Sequence, residues 1–103
     1  MRFLVKATLP VEAGNALVRD PNFGQRVQDI LGDIRPEAVY FAAADGQRTV
    51  YAVVNLQDTH ELPRIAEPFW LALKANVEFI PAMVQDDFAK AAPLIEQAAK
   101  KYR

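Results

Sequence analysis

EAVYFAAADGQRTVYAVVNL, Glu37 to Leu56, decides the fold. Asp45-Gly46 is a strong signal for a tight two-residue turn, because both positions of such a turn favour residues that tolerate a left-handed backbone. It separates two runs rich in valine, tyrosine, phenylalanine and alanine. Glu37–Ala44 and Arg48–Leu56 therefore read as two strands of one hairpin.

Working outward toward the start, Arg2–Leu9 alternates with period two. Phe3, Val5, Ala7 and Leu9 point one way, and Arg2, Leu4, Lys6 and Thr8 the other. This is another strand, closed by Pro10. Val11–Val18 is ambiguous between a turn and a short helical piece, since Gly14 and Asn15 weaken a helix. Asp20-Pro21 reads as an N-cap with proline in the first helical position. Phe23, Val27, Ile30, Leu31 and Ile34 then form one apolar stripe, and Arg35-Pro36 ends that helix.

Toward the other end, Asp58 to Glu61 has the spacing of a capping box and opens a second helix. Its apolar face reads Leu62, Ile65, Ala66, Phe69, Trp70 and Leu73. Val77–Val84 is a fourth strand, and Pro81 assigns it to a sheet edge because proline has no N–H for a second neighbour. Asp86–Tyr102 is helical, acidic at its start and basic at its end, with Pro93 expected to divide it in two.

The order β-α-β-β-α-β defines an α+β chain on the ferredoxin-like plan, with a C-terminal helical tail. One domain over residues 1–103 is expected, its four-stranded antiparallel sheet having the first and third strands at the centre. Two helices cover one face of such a sheet. On the other, Leu4, Lys6, Thr8, Tyr51, Val53 and Asn55 are a mixture less polar than a solvated face. A second copy packed sheet to sheet, closing a two-chain barrel, would cover it. So would the C-terminal segment folded back.

Composition excludes several classes. The chain has no cysteine and no serine, which removes disulfides, thiolate metal sites and serine or cysteine nucleophiles. A net charge of −1 with mixed signs argues against a nucleic-acid or anionic-membrane partner. The opening MRFLVKATLPVEAG does not read as a signal peptide, no run is long enough to span a bilayer, and a cytoplasmic protein is expected.

PVEAGNA, AEPFW, VEFIPAM and DDFAKAAPLIEQAAKKY, together with the element order, resemble a family of small uncharacterised bacterial proteins within the dimeric α+β barrel superfamily. The resemblance implies a homodimer with a pocket between sheet and helices. It leaves open cofactor-free monooxygenase or isomerase chemistry, ligand sensing, or a purely structural role. Haem-degrading members use an asparagine, a tryptophan and a histidine together. Here Trp70 and His60 lie on one helix and its cap, and the first strand has no asparagine, so no cofactor is expected.

The candidate ligand contacts are Lys6, Glu12, Asn15, Tyr51, Glu67, Phe69, Trp70 and Glu78. Phe69 and Trp70 also fit as ordinary core on their helical stripe. Glu67 neighbours Pro68, which frees the Arg64 carbonyl and could turn Glu67 toward a cavity or simply bend the helix. Glu12 and Asn15 sit where barrels of this type have a pocket mouth, or are turn residues. Lys6 and Glu78 could pair across neighbouring strands. Glu67, Glu78 and His60 are the only candidates for acid–base catalysis. A lone histidine gives no metal site. The leading expectation is binding of a small, largely apolar organic molecule.

Overall fold

The computed structural model describes residues Met1–Arg103. Its elements are β1 (Arg2–Leu9), α1 (Val11–Val18), α2 (Phe23–Ile34), β2 (Ala38–Ala44), β3 (Gln47–Asn55), a 3-10 turn (Thr59–Glu61), α3 (Leu62–Leu73), β4 (Asn76–Ala82) and α4 (Gln85–Lys101). The sheet order is β2-β3-β1-β4, and every pairing is antiparallel. β1 and β3 hold the centre as expected, and Pro81 lies on the edge strand β4. The arrangement is compatible with the ferredoxin-like plan. No helix is long and apolar enough to cross a membrane.

The hairpin forms as its turn dictates. Asp45 and Gly46 have φ of 54° and 74°, the left-handed pair that matches the twist of the flanking strands. Val50, Ala52 and Val54 of β3 lie beside Val5 and Ala7 of β1 and are buried under the helices, with Ile30, Ile34, Ile65, Phe69 and Leu73 above them. At the β4 edge, the Phe3 and Phe79 rings meet edge to face, 5.9 Å apart.

Local signals place α3 well. The capping box predicted at Asp58 forms, with the backbone N–H groups of Gln57 and Asp58 donating to Glu61 Oε2 at 2.8 and 3.2 Å. α3 continues through Pro68 to Lys74, which closes it in the left-handed conformation. α2 begins later than expected, at Phe23. Asp20 spends its carboxylate on the N–H of Asn22, 2.9 Å away, and on Arg26 at 3.1 Å, so residues 20–22 form a turn ahead of the helix. Arg35, before Pro36, ends α2 with φ of 49°.

Two regions differ more. Val11–Val18 is a regular helix despite Gly14 and Asn15. Gly14 is buried where α1 meets the sheet: a Cβ there would lie 2.8 Å from Arg48 Nη1, so the missing side chain reflects close approach and not a break. α4 is one continuous helix through Pro93, not two. The carbonyl of Ala89 that loses its donor belongs to an exposed residue, where water can take the bond.

α4 also leaves the open sheet face uncovered, which removes the fold-back alternative. It buries none of its residues. The molecule extends 57 × 28 × 20 Å, and its radius of gyration of 16.9 Å exceeds the ~13 Å of a compact chain this long.

Candidate functional site

α2 crosses the sheet without reaching over β2, and this opens a cleft. Phe23 and Val27 of α2 form one wall, Phe41 of β2 and Val50 of β3 the other, and Leu9 and Leu73 complete the apolar lining. The cleft has a volume of about 330 Å³, near the lower end of the range for small-molecule sites. Phe41 has the parity of core residues, paired with Val50 in register, yet it is 61% exposed because no helix lies above it. Gln28, Arg48 and Thr49 are the polar residues along the space, Thr49 through its stretch of β3, since its side chain has the parity of the open face. Thr49 is buried and donates to the Gln47 carbonyl at 3.0 Å.

Arg48 is the distinctive group. It sits opposite Leu9 on the helix-covered side of the sheet, in the same alternation as Val50 and Ala52. An arginine there must lead its charge out along the surface of the core. The path runs over Gly14, whose lack of a side chain leaves room for the guanidinium. Asn15 then accepts a hydrogen bond from Nη2 at 3.1 Å. Arg48 is exposed and takes part in none of the ion pairs, so further donors remain for an anion.

None of the candidate ligand contacts read from the sequence lines this cleft; Asn15 bears on it only by orienting Arg48. Glu12 is exposed on α1. Lys6, Tyr51 and Glu78 come together elsewhere, in one row across the open face with Tyr40: the register pairs Tyr40 with Tyr51, Tyr51 with Lys6, and Lys6 with Glu78. The expected Lys6–Glu78 ion pair does not form. The flexible lysine stem reaches the hairpin turn instead, placing Nζ 3.9 Å from Asp45 Oδ2, while Glu78 stays exposed. Asn55 lies on the same face. The adjacent row, Ala38, Val53, Leu4 and Ile80, is wholly apolar.

The α3 candidates separate. Phe69 is fully buried core, but Trp70 is 46% exposed, which corrects its assignment to the buried stripe. Ile65, Ala66, Phe69 and Leu73 already fill that stripe, and one residue further turns about 100° around the helix. Glu67 is exposed, and His60 is exposed in the 3-10 turn. Pro68 lines a shallow groove with Arg26, Asp29 and Leu71 of the α2–α3 surface, not the apolar cleft. Glu67, Glu78 and His60 thus lie outside the cleft, whose lining contains no carboxylate and no imidazole. No three histidine or carboxylate side chains come together as a metal site.

The capping carboxylate of Glu61 is held away from its ordinary pKa. The backbone N–H of Gln57, then that of Asp58, stabilises ionised Glu61 and holds its pKa below the usual carboxylate value. Partial desolvation opposes them, and Arg64 adds to them. This is helix-start architecture and not a reactive group.

Arg48, Phe41, Gln28 and Thr49 were not among the sequence candidates. The one available signal was Arg48 itself, a charge in a run whose parity is otherwise apolar. Comparison of the chain with protein-family models, curated proteins and solved structures gives no match.

Proposed function

We propose that this protein is a homodimeric ferredoxin-like domain that binds a small, largely apolar organic molecule in the α2–β2 cleft. The molecule's anionic or acceptor group meets Arg48. The observation that carries this reading is the Arg48 guanidinium, without an ion-pair partner and held by Asn15 at the side of an open apolar cleft. Apolar walls supply non-directional affinity, and a few fixed polar groups supply orientation. A cleft without a general acid or base favours binding over cofactor-free catalysis. The homodimer is supported by the exposed face, where the Ala38–Val53–Leu4–Ile80 row would otherwise meet water.

The test uses anilinonaphthalene sulfonate, an apolar probe with one anionic group. Its fluorescence should rise saturably at one probe per chain. Arg48→Met should weaken binding about tenfold, the scale of one charge-assisted hydrogen bond, and Phe41→Ala should weaken it as well. Binding unchanged in both variants, or absent from the parent chain, would overturn the cleft as the site.

A further inference from the structure

α4 is a long helix with nothing against it. Its 17 residues bury no side chain, and Phe88, Ile95 and Tyr102 (just past its end) are 58%, 51% and 77% exposed. Helices below ~12–15 residues are marginal in water even when rich in alanine. An interior proline costs ~3 kcal/mol more. A helix only slightly longer than that, broken by Pro93 in its hydrogen bonding, therefore needs a partner surface to persist.

The sequence of α4 describes that surface. Phe88, Ile95 and Tyr102 recur at heptad spacing, with Ala91 and Ala98 between them, which is the seam of a two-helix coiled coil. A contact between identical chains about a two-fold axis must also be self-complementary. α4 meets this requirement in one orientation. Asp86 and Asp87 lie at its start, and Lys100, Lys101 and Arg103 lie at or just beyond its end. Antiparallel helices bring acid to base at both ends, whereas parallel helices set like against like. Aligned about Ile95, the antiparallel pair also sets Phe88 facing Tyr102 of the other copy. Ala91 and Ala92 then face Ala99 and Ala98. The end charges suit the helix's own dipole too, but the dipole does not dictate this symmetric order of large and small apolar residues.

We propose that α4 is a dimerisation arm, packing antiparallel against α4 of a second copy of this chain about a two-fold axis at Ile95. The proposal rests on the homodimer of the preceding section and is independent of any ligand. It names the element that holds the second copy.

Because the chain has no cysteine, single-cysteine variants of the full-length protein give an unambiguous readout. Under mild oxidation Ile95→Cys should form a covalent dimer. Phe88→Cys and Tyr102→Cys, mixed after subunit exchange, should link to each other, and Phe88→Cys alone should not. Gln97→Cys, on the outer side of the helix, controls for random collision. Ile95→Asp should raise the dimer dissociation constant at least tenfold and leave the unfolding temperature of the monomer unchanged, since Ile95 touches no core. Ready linkage of Phe88→Cys to itself would overturn the antiparallel arrangement. A dimer by light scattering that is indifferent to Ile95→Asp and unlinked at Ile95→Cys would overturn the arm and leave the sheet-to-sheet dimer standing. A monomer at every concentration would overturn both.

Discussion

Phe69 and Trp70 are neighbours of similar chemistry with opposite environments, and the difference is one step around α3. Phe69 is among the largest fully buried side chains, while Trp70 stands half in solvent. Phe69→Ala should therefore cost ~3–5 kcal/mol, and Trp70→Ala about half as much or less, in urea denaturation. Equal losses would mean that Trp70 is buried in solution, by a partner or a ligand. Both aromatics were legible as members of a helix. Their separation was not, because a stripe defined by spacing alone is wider than the strip of sheet available to receive it. Arg48 shows the converse case. Its position in an apolar alternation marks it as unusual, but the space over Gly14 and the acceptor on Asn15 come from an element more than thirty residues away in sequence.

The elements set by local chemistry were readable, and those set by distant contacts were not. The Asp45-Gly46 turn, the Asp58–Glu61 capping box and the edge placement of the Pro81 strand each follow from a few adjacent residues. α1 was ambiguous because the reason for Gly14 lies on β3. α4 was expected to break at Pro93 because proline's cost is local, whereas continuity depends on whether the freed carbonyl can find water. The capping box also carries a pH dependence of known sign. The folded-state pKa of Glu61 is depressed, so its contribution to stability is present above the unfolded-state pKa and is lost as pH falls through the folded-state value. Glu61→Gln should lower the unfolding temperature at neutral pH, with the gap to the parent chain closing in acid. A gap that stays constant with pH would show that the carboxylate's charge plays no part in holding the start of α3.

At the scale of the whole molecule, the βαββα-β order and its antiparallel sheet were legible from periodicity, and the location of a cleft was not. Even with α1 beside α2 and α3, the covered face stays thin at β2, where Phe41 is exposed. Ile30 and Ile34 anchor α2 in the core with the central strands, a tertiary packing that periodicity along the chain does not reveal. The outcome places the apolar cleft at β2, away from every carboxylate and imidazole proposed from the sequence, and leaves the open sheet face and α4 as the two surfaces without cover. The central claim is that the cleft takes a small apolar molecule with its anionic end at Arg48. The most direct test is amide chemical-shift mapping of the full-length protein titrated with octanoate, a small apolar carboxylate. The account predicts saturable shifts centred on Phe23, Val27, Phe41, Thr49 and Val50, and their loss in Arg48→Met. Shifts centred instead on Lys6, Tyr51 and Glu78 of the open face, or none at saturating octanoate, would contradict it.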